Sequence, residues 1–303
     1  SSGNNLPLFF GASNDYSTGA ALYFSARKYT FASIGDGLTD TEASDYYNAV
    51  QAFETTLGRS LGPQVVSDAN AQAFVTAANI QDQVQANAID QLVIDLKAAN
   101  IWSKMKAVYP FVGGTSTTNS FNLIDPAQYE ITWYGGLTHS SNGVTGNGAN
   151  GYGDTFLNND VIGRTDAHLS IYTPATATIS GSVIASWENT FGSNIYSKPN
   201  QSVRINSSAP VNFSPFTAGF ILVKRPNSTQ ILIQQNNSIT TYSSDYNSYI
   251  TTSFKLLKTG DYNGECTDEN LRFVSIGDGL TDTESTNLYT AVQAYQTTLN
   301  RQV

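Results

Sequence analysis

The chain has 303 residues; only 13% are charged, and 24 acidic against 15 basic side chains give a net charge of −9. With no basic cluster there is no electrostatic drive toward nucleic acid or an anionic membrane surface, so neither is expected as a partner. No apolar run reaches the roughly 18 residues of a membrane span, which excludes membrane insertion by a helix. One cysteine, Cys266, and two histidines exclude an intrachain disulfide framework and a structural zinc site.

In chain order, Leu6–Phe24 read as one or two short strands with a turn around Ser13-Asn14-Asp15. Phe31–Arg59 follow, and this segment returns as Phe273–Arg301, identical at 20 of 29 positions over a shift of 242. Each copy predicts a strand (Phe31–Ile34, Phe273–Ile276), a Gly-Asp-Gly turn and a helix. Thr39 with Glu42, and Thr281 with Glu284, fit a capping box. Tyr46, Val50, Phe53 and Leu57, like Leu288, Val292, Tyr295 and Leu299, form one apolar stripe. No lysine follows the glycines as a phosphate-binding loop requires, and the acidic spacing does not match an EF-hand.

Ser60-Leu61-Gly62-Pro63 breaks the chain, and a helical texture begins. Asp68 caps one predicted helix and Asp82 a second, on which Ile89, Leu92, Val93 and Leu96 share a face. A third helical segment is predicted through Ile101, Trp102, Met105 and Val108, ending at Pro110. From Phe111 the pattern changes to short strands separated by Gly, Asn, Ser and Pro. They include Tyr129–Tyr134, His168–Tyr172, Ser182–Trp187, Val203–Ile205, and a hairpin of Gly219–Lys224 with Gln230–Gln234. The expected organisation is residues 1–62 as the closing strands and helix of a first module, truncated or completed in trans; 63–114 as a helical spacer; and 115–303 as a sandwich with a C-terminal helix.

The strand-rich region resembles a concanavalin A-like, laminin-G-type jelly roll. The resemblance is carried by Gly146-Asn147-Gly148-Ala149-Asn150-Gly151-Tyr152-Gly153-Asp154-Thr155-Phe156 and by the strand–turn–helix that closes the chain. It implies a mainly β jelly-roll sandwich, preceded by a small helical segment and an incomplete first copy of the closing strand–helix. The helical lead-in to Tyr109-Pro110-Phe111-Val112-Gly113-Gly114, the run Thr138-His139-Ser140-Ser141-Asn142-Gly143 and the final Ser275–Glu284 are similar to tail and other virion structural proteins of bacteriophages. That resemblance implies a non-enzymatic virion component, oligomeric, in contact with other virion proteins and with a host-surface glycan.

Chemistry is sparse in the strands. A retaining glycosidase needs two carboxylates about 5 Å apart, and no predicted strand carries such a pair. His139 and His168 have no Gly-x-Ser-x-Gly elbow nearby. The resemblance implies sugar binding through loop carboxylates, amides and aromatics, with calcium in some cases. Asn150, Tyr152 and Asp154 in one loop, and Tyr242 and Tyr246 in another, are the candidate ligand contacts. Asp261, Asn263, Glu265 and Asp268 are the candidate Ca2+ ligands. A carbohydrate-binding module of a secreted adhesin is the alternative to the virion role. A polysaccharide-degrading enzyme is a third reading, and requires a cleft with two converging carboxylates.

Overall fold

The computed structural model describes residues 8–303 except 11, 15–17, 19, 26–28, 58–63, 198–200, 247–249 and 261–263. The chain divides into two units, residues 1–61 and 62–303. In the first, strands β1 (Ser13–Asn14) and β2 (Ala21–Leu22) pair antiparallel, and helix α1 spans Asp40–Thr56. Ser13–Asn14, expected as a turn, is therefore a strand. The Phe31–Ile34 strand does not form; among the described residues β1 and β2 pair with each other alone, and no ladder includes residues 31–34.

The second unit opens with α2 (Ala69–Ala77) and α3 (Gln83–Ala98). The Asp68 carboxylate accepts the amides of Asn70 and Ala71, and Asp82 accepts that of Gln85, satisfying donors a helix start leaves free. The strands follow: β3 (Met105–Tyr109), β4 (Thr132–Tyr134), β5 (Thr138–Ser140), β6 (Gly143–Thr145), β7 (Tyr152–Asn158), β8 (Ala167–Thr173), β9 (Ser182–Glu188), β10 (Phe191–Tyr196), β11 (Ser202–Ser207), β12 (Val211–Asn212), β13 (Gly219–Asn227), β14 (Gln230–Gln235), β15 (Ser238–Ser243), β16 (Ser253–Leu256), β17 (Asn270–Leu271) and β18 (Phe273–Asp278). Helix α4 (Asp282–Thr298) ends the unit.

These strands make a jelly-roll-type sandwich. A seven-stranded antiparallel sheet, β12-β11-β10-β9-β16-β7-β4, faces a six-stranded one, β15-β14-β13-β8-β18-β3, and β17-β6-β5 form a small third sheet. Leu169, Ile171, Ile221, Val223, Val274 and Ile276 of the six-stranded sheet pack with Ile184, Ile195, Val203, Ile205 and Leu256 of the other. The opposite face of the six-stranded sheet carries Tyr172, Phe220, Leu222 and Phe273, which pack with Phe74, Ile89, Leu92, Leu288 and Val292 of the helices. Strands β3, β8, β13 and β18 are thus buried on both faces, while the edge strand β15 is mostly exposed.

That double burial explains one correction. Residues 101–110, expected to be helical, form a 3-10 turn at Trp102–Lys104 and then strand β3. Met105 and Val108 face the helical cluster while Ala107 and Tyr109 face the sandwich core. A strand with two apolar faces loses its alternation and mimics helical spacing.

Candidate functional site

Helices α2–α4 all belong to the six-stranded side, so among the described residues of the second unit no helical layer covers the outer face of the seven-stranded sheet. Strand register decides what that face carries. Tyr134 pairs with Tyr152, Thr132 with Asp154, Asp154 with Lys255, and Asn194 with Arg204. Directly opposed residues project to one side of a sheet, so these side chains share a face. Trp133, opposite Gly153, projects inward instead and packs on the core.

At the β4 edge the Tyr134 and Tyr152 rings stack 4.8 Å apart at 16°, and the Lys258 ammonium lies 4.2 Å from the Tyr152 ring centre. Tyr134 is 43% exposed. In the middle, Asp154 pairs with the Lys255 ammonium at 2.6 Å and accepts from the Ser253 hydroxyl at 2.7 Å and the Phe156 amide at 3.0 Å. Burial opposes its ionisation, but Lys255 and these donors outweigh burial and hold the carboxyl below its ordinary range. Beyond β9, the Arg204 guanidinium covers the Trp187 ring at 4.5 Å. Burial alone lowers the Arg204 pKa to about 10, which leaves it charged at neutral pH.

An open groove of about 620 Å³ lies at this far edge, lined by Tyr196, Gln201, Ser202, Arg204, Pro210, Asn212, Phe213 and Ser214. The Tyr196 hydroxyl donates to Glu265 at 3.1 Å, which brings the 264–270 loop to the groove wall. The groove therefore offers amides, hydroxyls, one cation and aromatic edges. This is the kind of lining that hydrogen-bonds hydroxyl-rich ligands and stacks on their apolar faces.

The structure separates the residues singled out in the sequence. Tyr152 and Asp154 stand on the outer face. Asn150 lies in the preceding turn, where its amide oxygen accepts from Asn147 at 2.8 Å. Tyr242 is half-buried on β15 against the core, on the other sheet, and Tyr246 follows it in a loop, its amide bonded to the Ser228 carbonyl. Asp261 and Asn263 lie outside the described residues. Asp268 accepts the Thr178 and Ile179 amides, each at 2.8 Å, and the Thr178 hydroxyl at 2.5 Å. Here too these donors outweigh burial and lower its pKa. Its neighbour Glu269, 1% exposed, accepts the amides of Thr176 and Ala177. Among the described residues no three His, Cys, Asp or Glu side chains gather as a metal site.

Both histidines are engaged by neighbouring groups. His139 packs edge-on to Trp133 at 5.0 Å and its Nδ1 meets the Asn119 amide at 3.2 Å; half-burial lowers its pKa. His168 is fully buried, with Nδ1 2.6 Å from the Asp278 carbonyl and Nε2 3.2 Å from the Ser275 hydroxyl. Sequence reasoning missed Tyr134, Lys258, Trp187, Arg204 and the groove. The signal was present in the alternation of β4 and β11, but which face of each strand looks outward follows only from the pairing.

No protein-family model matches the sequence, and comparison with curated proteins returns no match. Among solved structures, the chain is similar to domain 4 of an extracellular GH43 arabinanase from Geobacillus stearothermophilus in complex with arabinotriose. That likeness has a TM-score of 0.45 and 15% identity, over 61% of this chain and 98% of that one. It is also similar to a Trypanosoma rangeli sialidase mutant with trans-sialidase activity, at TM-score 0.44 and 7% identity, over 69% of this chain and 39% of that one. The sialidase in complex with sialic acid gives TM-score 0.43 and 8% identity, over 84% of this chain and 40% of that one. The chain thus spans about two fifths of the sialidases' length. None of these three is a virion structural protein, and the expectation of a non-enzymatic virion role is set aside. Both the virion role and the exclusion of enzymatic activity are withdrawn. No residue and no substrate is carried across from them.

Proposed function

We propose that residues 62–303 are a glycan-binding module whose site is the outer face of the seven-stranded sheet. One observation carries this reading: the face combines the stacked Tyr134–Tyr152 pair at one edge with the Tyr196–Arg204–Asn212 groove at the other. A pyranose or furanose ring presents apolar C–H faces and a rim of hydroxyls. Stacking on tyrosine takes the first, and the amide and guanidinium donors of the groove take the second.

Affinity electrophoresis of the full chain against a panel of neutral and acidic polysaccharides, followed by calorimetry on the best binder, tests the reading. Saturable binding is expected, weakened about tenfold by Y134A or R204A, since one ring stack or one charged hydrogen bond is worth about 1–2 kcal/mol. Reducing-end release is read in the same samples to distinguish binding from cleavage. Retention of no polysaccharide, or binding unchanged in both variants, would refute the assignment.

A further inference from the structure

The repeated segment is used differently in its two places. In the second copy, β18 lies between β8 and β3 and α4 closes the helical layer, with Phe273, Ile276, Leu280 and Leu288 at most 3% exposed. In the first copy the helix forms with the same cap: the Thr39 amide donates to Glu42 at 2.9 Å and the Glu42 amide to the Thr39 hydroxyl at 3.3 Å. The matching residues Phe31, Ile34, Leu38 and Tyr46 are 41%, 69%, 56% and 39% exposed.

What the first copy retains is what a docked copy needs. A Cβ on Gly277 would collide with the Lys104 carbonyl and the His168 ring, and one on Gly279 with the Asp166 carboxylate. Their counterparts Gly35 and Gly37 have nothing within 4 Å, so the observed surroundings do not demand glycine. Ser275 is buried because its hydroxyl meets Ser170 at 2.6 Å and His168 at 3.2 Å, whereas its counterpart Ser33 is exposed in an otherwise apolar strand sequence. Asp278 and Glu284 pair with Lys106 and Lys104, each at 2.7 Å, and Asp36 and Glu42 preserve both acids. Arg301, which binds the Phe111 and Pro110 carbonyls, is preserved as Arg59 in the sequence.

We infer that residues 31–59 are a second closing element, whose occupant is a sandwich body of the same design as residues 62–272. That partner leaves one place open in its six-stranded sheet. Its flanking strands present a Ser–His pair on the helical side, and lysines stand at the places of Lys104 and Lys106. The substitutions are informative too. Ala32 replaces Val274, Tyr46 replaces Leu288, and Phe53 replaces Tyr295, whose hydroxyl donates to the Pro110 carbonyl. Residues 273–301 therefore suit the body in this chain better, and the partner of 31–59 is reshaped at those three contacts.

Disulfide trapping in the full chain tests this, with the chain's own body as the probe. Ser170 is directly opposite Ser275 in the sheet, so S275C/S170C in a C266A background reports the occupied slot. S33C/S170C reports docking of the first copy. With L288A/V292A added to loosen α4, the S275C/S170C yield should fall severalfold and the S33C/S170C link should appear, within or between chains. G35V should abolish the new link. If L288A/V292A prevents folding, Y295F, which removes only the Pro110 bond, provides the loosened background. A fall in the S275C/S170C yield with no S33C/S170C link, even when A32V, Y46L and F53Y restore those three contacts for this body, would overturn the inference, as would a link that survives G35V.

Discussion

His168 sits at the end of β8 without any exposed surface, and its two nitrogens are committed: Nδ1–H donates to the Asp278 carbonyl and Nε2 accepts from Ser275. Burial is the main cause that lowers its pKa from 6.5 to about 4, so the folded chain keeps it neutral. An unfolded histidine takes up its proton near pH 6.5. Between 6.5 and about 4 the unfolded chain therefore holds the proton that the folded chain refuses, and stability falls as pH falls across that window. The full loss from this group is about 3 kcal/mol, reached near pH 4. Urea unfolding at pH 7.5 and pH 4.5 should show a clear drop for the native chain and a much smaller one for His168→Gln. Equal drops in both chains would place the pH sensitivity elsewhere. The carboxylates act in the same direction at lower pH: Asp154 and Asp268 are held charged by their donors, so the stability they contribute is lost as pH falls through the carboxylate range. In sequence they are ordinary turn and strand residues, and nothing distinguishes them from solvated ones.

At the scale of elements, local signals were legible and pairing was not. The Thr281–Glu284 box, with the Thr281 amide donating to Glu284 at 2.7 Å, was readable because capping depends on residues three apart. Asp68 and Asp82 were readable for the same reason. Strand β3 was not, because its meaning lies in its pairing with β18, 165 or more positions away, and in cover on both faces. The Phe31–Ile34 expectation failed for a related reason: a strand sequence is stable only beside partners, while the helix after it forms on its own cap. Thr281→Ala tests how much the cap contributes to α4. Losing one cap acceptor should cost about 1 kcal/mol, seen as a lower urea midpoint with an unchanged slope. A midpoint equal to that of the native chain would show that packing on β13 and α3, not the cap, fixes the helix start.

Over the whole of residues 62–303, the six-stranded sheet is shared by both clusters: its inner face is one wall of the sandwich core and its outer face the floor of the helical layer. Neither layer can lose its packing without exposing one side of strands that the other layer needs. The helical layer and the sandwich should therefore unfold together. Leu92, 1% exposed on α3, is the point to test, because it contacts the helical cluster and lies outside the sandwich core. Leu92→Ala should cost about 3 kcal/mol in transfer and cavity terms. For a unit of this size that lowers the melting midpoint by about 6–12 °C. The three tryptophans allow the layers to be watched separately: Trp102 packs on the helical cluster, Trp133 on the sandwich core, and Trp187 under Arg204 on the outer face. Helical circular dichroism and the fluorescence of single-tryptophan variants retaining Trp102 or Trp187 should shift by the same amount in Leu92→Ala. If the Trp187 transition stays in place while the helical signal moves, the layers are energetically separate despite their common sheet.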